Sequence, residues 1–205
     1  FTILDGGMGR ELKRSGAPFR QPEWSALAMI EAPEAVLAVH RAFVAAGAQV
    51  ITTNSYALIP FHIGEERFAS QGQALADRAG QVARQAADEA PSGGVLVAAS
   101  LPPLFGSYRP DLFNPAEAAR VLAPLVAGLA AHADIWLAET LSDTAEARVV
   151  AGALSEDPRP LWLSFTLEDG AADAASNPRL RSGEPVAQAV EVASECGAQA
   201  LLFNC

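Results

Sequence analysis

Six short apolar runs alternate with five longer helical stretches along this chain, and that alternation constrains the fold more than any other feature. The runs are Phe1-Thr-Ile-Leu4, Val50-Ile-Thr-Thr53, Val95-Leu-Val-Ala-Ala99, Ile135-Trp-Leu-Ala138, Leu161-Trp-Leu-Ser-Phe165 and Ala200-Leu-Leu-Phe203. Each is nearly continuous in apolar and β-branched residues, as strands covered on both faces are. The stretches between them (33–46, 65–90, 115–132, 143–154 and 184–196) carry apolar residues at helical spacing and much alanine. Pro33, Pro115 and Pro185 fall near three helix starts, where a proline costs no hydrogen bond. Gly47 and Gly197 follow helix ends, where a left-handed residue closes the last turn.

Strand, helix, strand in succession gives parallel strands joined by right-handed crossovers. Two architectures satisfy the pattern. A doubly wound open sheet is complete at 205 residues, whereas a (β/α)8 barrel takes about 250 and would be present here as its first six βα units. Half of the residues are apolar and 19% are charged, which suits one domain with one core. The expectation is a single barrel domain over 1–205, cut after its sixth strand, with an initiator Met before Phe1 and further chain after Cys205.

A net charge of −10 and a pI near 4.7 argue against a nucleic-acid partner, which needs clustered Lys and Arg. No apolar run approaches the length of a membrane span, and no charged leader precedes an apolar core, so a cytoplasmic protein is expected, with no membrane partner. Cys196 and Cys205 are too few for a disulfide framework, and Cys196 reads as helix packing. His40, His62 and His132 have no metal-ligand spacing, and no nucleophile elbow occurs. Asp5-Gly-Gly-Met-Gly9 follows the first strand but lacks the dinucleotide spacing, and Thr53-Asn54 stand where an acidic residue would end the second strand.

Polar residues collect where the runs stop. They are Asp5, Thr53 with Asn54, Ser100, Glu139 with Thr140, Thr166, and Asn204 with Cys205. In a barrel these ends converge on one mouth, where reactive side chains gather. A polar turn explains Ser100 and Thr166 equally well. Glu139 follows Ile-Trp-Leu-Ala directly, and a carboxylate so placed needs a cationic partner, either a substrate ammonium or a structural Arg or Lys. Asp5 before a glycine pair is a catalytic candidate or a turn residue. Cys205 is a metal ligand, a nucleophile or an inert buried thiol.

The runs Leu4-Asp-Gly-Gly-Met-Gly-Arg-Glu-Leu12, Trp24-Ser25, Pro33 to His40, Ala46 to Tyr56, Ala138-Glu-Thr140 and Leu202-Phe-Asn-Cys205 resemble the homocysteine S-methyltransferase family in order and spacing. The resemblance implies a (β/α)8 barrel holding zinc on three cysteine thiolates, with the sulfur of homocysteine as a further ligand. It makes Cys205 the first zinc ligand, with Asn204 beside it as a substrate-binding residue. The other two come from a Gly-Gly-Cys-Cys motif that this sequence does not contain, so the site in this chain is incomplete. It implies that Glu139 receives the substrate ammonium, and that Asp5, Gly6 and Gly7 line the same pocket, with Thr53 and Ser100 at neighbouring strand ends. Trp24 and Tyr56 are each an aromatic face for a cationic methyl donor or a hydrophobic plug over the barrel. Betaine-using relatives have a second tyrosine where Ala57 stands, and many relatives have a glycine-rich run where Ser100-Leu-Pro-Pro-Leu-Phe105 stands. A sulfonium donor, S-methylmethionine or S-adenosylmethionine, is therefore expected ahead of betaine. The alternatives are a catalytically silent barrel that binds an amino acid or a partner, and a metal-free enzyme using Asp5 and Glu139 as acid and base.

Overall fold

The computed structural model describes residues 1–91, 93–169 and 176–204. The elements alternate as the apolar runs require: α1 (Met8–Ser15), α2 (Ser25–Glu31), α3 (Pro33–Ala45), β1 (Val50–Thr52), α4 (Pro60–Ile63), α5 (Glu65–Asp88), β2 (Leu96–Leu101), α6 (Pro115–Leu129), β3 (Ile135–Leu141), α7 (Thr144–Ala153), β4 (Leu161–Phe165), α8 (Val186–Glu195) and β5 (Ala200–Phe203). Every strand pairing given below is parallel. Contacts group the chain into two compact units, one of residues 1–100 with 124–135 and the other of 101–123 with 136–205.

In the first unit β1 pairs with β2, Ile51 opposite Val97. Their buried faces pack on the small-residue face of α5, where Ala83, Ala86 and Ala87 meet Ile51 and Val97. Alanine lets helix and strand approach closely, and each buried methylene contributes about 0.8 kcal/mol. Helix α5 also comes close to the chain at Gly128, where an added Cβ would stand 2.5 Å from the Gln73 carbonyl oxygen. Glycine there is a packing requirement. Arg84 holds the carboxylate of Asp134 at 2.6 Å, and that carboxylate accepts from the Val97 amide at 2.8 Å, which fixes the start of the next strand segment.

The expected first strand is reduced to one bridge. Leu4 pairs with Val50, the Asp5 amide donates to the Val50 carbonyl at 2.9 Å, and the Ile3 amide donates to the Gln49 side chain. The Ile3 carbonyl serves both Gln49 and Val50 amides, so the ladder advances by only one residue pair. Among the described residues five strands therefore stand where six were expected. Helices α1, α2 and α4 are additions, lying outside the five stretches that the helical spacing marks.

In the second unit β3 pairs with β4 and β4 with β5, Leu163 lying opposite both Ala138 and Leu201. The apolar run predicts an end for β3 at Ala138, but the strand continues to Leu141 across a register shift between Ala138 and Leu141. Helix α7 begins with a reciprocal cap: the Asp143 carboxylate accepts from the Glu146 amide, and the Glu146 carboxylate accepts from the Ser142 amide, both at 2.8 Å. Gly197 closes α8 at φ 66°, as its place in the sequence suggests. Among the described residues no helix is long and apolar enough to cross a membrane.

Candidate functional site

In the first unit Asp5 sits just after the Leu4 bridge, half-buried, and β1 holds it from the side. One carboxylate oxygen accepts from the Thr52 amide at 2.8 Å and the other from the Thr52 hydroxyl at 2.9 Å. Burial nevertheless pushes its pKa up to about 6, against the pull of those bonds. Gly6 and Gly7 differ in what they make room for. A Cβ at Gly6 would meet the ring of Phe43 at 3.0 Å, so this glycine serves packing. At Gly7 the nearest atom would be the Arg10 Cβ at 3.8 Å, and Gly7 caps α1 without a side chain.

Thr53 and Ser100 are joined in a closed set of hydroxyl bonds. The Ser100 amide donates to the Thr53 hydroxyl oxygen at 2.9 Å, and the Ser55 hydroxyl donates to the Ser100 carbonyl at 2.7 Å. The Ser55 proton being committed, Thr53 donates to Ser55 across their 2.8 Å contact. All three residues are fully or nearly fully buried. This network stitches the end of β1 to the end of β2, reinforced by the Thr53 amide on the Ala98 carbonyl. Asn54 is committed as well, donating to the Ser25 carbonyl at 3.0 Å.

Trp24 caps α2 at φ 51°, a conformation that bulky L-residues rarely adopt, and its side chain is 44% exposed. Phe19 meets it edge to face at 5.9 Å between ring centres. Tyr56 lies half-buried in the turn after β1. His40 is fully buried with neither ring nitrogen bonded, and burial drives its pKa down to about 4, so it stays neutral. A cleft of about 420 Å3 runs between α1 and α3. None of the sequence-derived candidates lines it.

In the second unit Glu139 stands on β3 inside the register shift, half-buried, and Thr140 follows at φ 62°. A β-branched residue in the left-handed region is strained by about 1–3 kcal/mol. Asn204, directly after β5, engages that point: its side-chain oxygen accepts from the Thr140 amide at 3.3 Å and from the Ser164 hydroxyl at 2.7 Å, while its amide nitrogen donates to the Thr140 hydroxyl at 3.0 Å. Nearby in sequence Glu146 is nearly fully buried, and burial raises its pKa to about 7, with Asp143 repelling its charge. Sequence reasoning missed Thr52, Ser55, Ser164 and Glu146. The Asp143-x-x-Glu146 spacing was a readable cap signal, whereas the roles of Thr52 and Ser164 depend on register.

The described residues contain no group of three His, Cys, Asp or Glu side chains able to hold a metal ion. Cys205, the expected zinc ligand, lies outside the described residues. Cys196 sits at the end of α8, and burial raises its thiol pKa, opposite to what a metal ligand needs. One thiolate at Cys205 does not make a metal centre, so the residues of this chain do not by themselves fit a zinc ion.

Comparison with known proteins gives a consistent answer. The homocysteine S-methyltransferase family profile matches residues 2–205. A homocysteine S-methyltransferase of Escherichia coli is 33% identical over 187 residues, covering 82% of this chain and 59% of the relative. Homocysteine S-methyltransferase YbgG of Bacillus subtilis is 31% identical, covering 85% and 64% respectively. The crystal structure of the metallated form of the homocysteine methyltransferase MmuM from Escherichia coli superposes over all of this chain and 74% of that one, with a TM-score of 0.83 and 31% identity. The chain thus spans about three-fifths of the length of these two curated relatives.

Proposed function

The chain belongs to the homocysteine S-methyltransferase family, and from that premise we propose that the protein moves a methyl group from a sulfonium donor, S-methylmethionine or S-adenosylmethionine, to the sulfur of homocysteine. The family match across residues 2–205 carries this reading. Its parallel βα units support the coarser part of it, a partial (β/α)8 barrel.

Glu139, presented from the shifted segment of β3, receives the ammonium of homocysteine. A charge-assisted hydrogen bond of this kind contributes about 1.5–3 kcal/mol when water is excluded. The family resemblance also assigns the amino-acid end to Asp5, whose carboxylate Thr52 steadies, and to the backbone at Gly7. With a pKa of about 6, Asp5 is mostly ionised at neutral pH and loses its charge in mild acid. Trp24 and Tyr56 offer aromatic faces to the donor cation.

The reaction needs an ionised thiol aligned with the methyl carbon. The new sulfur–carbon bond forms as the donor's sulfur–carbon bond breaks, and the electron pair leaves on a neutral thioether. Cys205 would be one ligand of a zinc ion, whose other ligands this sequence does not contain. When bound it would supply the thiolate form at neutral pH. Thr53 and Ser100 act here as scaffold for the ends of β1 and β2, since their hydroxyl and amide are bonded to one another.

The test is a donor panel on the full-length protein, using homocysteine labelled in its carbon skeleton and reading heavy methionine by mass spectrometry. Heavy methionine with either sulfonium donor, and far less with betaine or methyl-tetrahydrofolate, is expected. No heavy methionine with any donor, while homocysteine still raises the melting temperature, would replace this reading with a silent amino-acid-binding barrel.

A further inference from the structure

We propose that Asn204 is a positioning residue that holds Thr140 in its left-handed conformation and thereby aims Glu139 at the substrate ammonium. The inference rests on the homocysteine reading above for the identity of the ligand, and on the geometry of β3, β4 and β5 for everything else.

Thr140 is a poor residue for φ 62°, because a branched Cβ crowds the neighbouring backbone there. The strain persists only if surrounding groups over-determine the conformation. Asn204 does so from two directions. Its side-chain oxygen takes the Thr140 amide hydrogen, and its nitrogen reaches the Thr140 hydroxyl. The Ser164 hydroxyl, on β4, donates to the same oxygen and fixes the plane of the amide. The Asn204 backbone amide donates to the Phe165 carbonyl at 3.0 Å, so the residue is anchored before its side chain reaches across. Thr140 and Ser164 are 2% and 4% exposed, so water does not substitute readily for a lost partner.

A side-chain amide is suited to this task because it carries an acceptor and a donor on one rigid plane. Leucine has similar volume and offers neither. Removing the clamp frees Thr140 to relax toward ordinary strand geometry, and because successive strand side chains take their directions from the backbone between them, that change of φ re-aims the preceding residue relative to the rest of β3. Glu139 is that neighbour. Asn204, which the sequence suggested as a substrate contact, has its amide engaged with Thr140 and Ser164, and it acts through Glu139.

The experiment compares wild-type full-length protein with Asn204→Leu, Thr140→Gly and the double variant, measuring homocysteine KM and kcat, the calorimetric homocysteine Kd and the melting temperature. Asn204→Leu should raise homocysteine KM and Kd by about tenfold or more, with kcat changed less than about threefold. Glycine adopts φ 62° without strain, so adding Thr140→Gly to Asn204→Leu should bring KM and Kd back to within about threefold of wild type. Ser164→Ala removes one bond and little volume, and should shift KM in the same direction by about two- to fivefold; it carries the test if Asn204→Leu does not fold. A lowered melting temperature with KM and Kd unchanged in Asn204→Leu or Ser164→Ala would overturn the proposal, as would failure of Thr140→Gly to restore them. Wild-type protein that neither binds nor methylates homocysteine would instead overturn the functional reading.

Discussion

The strand ends of the two units spend their polar residues differently. In the first unit Thr53, Ser55 and Ser100 close a set of neutral hydrogen bonds in which each donor named has an acceptor, on backbone of ordinary conformation. In the second, Thr140 is held at positive φ beside Glu139, and Glu146 is buried with its pKa near 7. A satisfied neutral network stabilises the fold. Strained backbone and carboxylates kept from water cost stability, and such features gather where a protein acts on something else. The first unit has exceptions: Asp5, a costly carboxylate strapped to Thr52 rather than paired with a cation, and Trp24 at φ 51°.

Substitution should separate the two regions. The largest effect is expected for Glu139→Gln, which removes the ammonium acceptor and should lower kcat/KM for homocysteine by about 30- to 100-fold, chiefly through KM. Thr53→Val, in the first unit, should leave homocysteine KM within about twofold, yet cost about 1–3 kcal/mol in denaturant unfolding, because the Ser100 amide loses its buried acceptor. Equal kinetic damage from both variants would erase the distinction.

Glu146→Gln sharpens it through pH. The pKa of Glu146 is raised from 4.5 to about 7 on folding, so folding favours the protonated acid. Its contribution is complete below pH 4.5 and is lost as pH rises through about 7. The neutral glutamine keeps an acceptor for the Ser142 amide, so Glu146→Gln should match wild type near pH 5 and exceed it at pH 8 in melting temperature. Asp5 shifts in the same direction, and its loss of stability falls between pH 3.8 and about 6. A wild type whose advantage over Glu146→Gln grew with pH would contradict the burial of that carboxylate. The smallest effect belongs to the surface: Arg41→Ala breaks an exposed ion pair with Glu89 and should leave the melting temperature essentially unchanged.

How far the sequence discloses this arrangement depends on range. The continuous apolar runs mark β1, β2, β4 and β5, of which β1, β2 and β4 are mostly buried while β5 carries the exposed Phe203, and Pro33 and Gly197 mark helix boundaries through local sterics. The pattern of β3 ends early because Glu139 and Thr140 interrupt the apolar run, while the backbone continues through them by shifting register. The same interruption made Glu139 conspicuous. Thr52 and Ser164 stayed hidden, since a hydroxyl inside a strand becomes meaningful only when register brings Asp5 or Asn204 opposite. Pairing across dozens of residues has no local signature. The family resemblance supplied what periodicity could not, namely a choice between open sheet and barrel and a role for Cys205.

That role is the most exposed part of the account. The direct measurement is the metal content of full-length wild-type protein and of Cys205→Ser, together with their rates of heavy-methionine formation from labelled homocysteine. About one zinc per chain in the wild type is expected, with loss of the metal and a fall in rate of at least about 1000-fold in the variant. Undiminished methyl transfer by Cys205→Ser would contradict the account and return the chemistry to Asp5 and Glu139 alone.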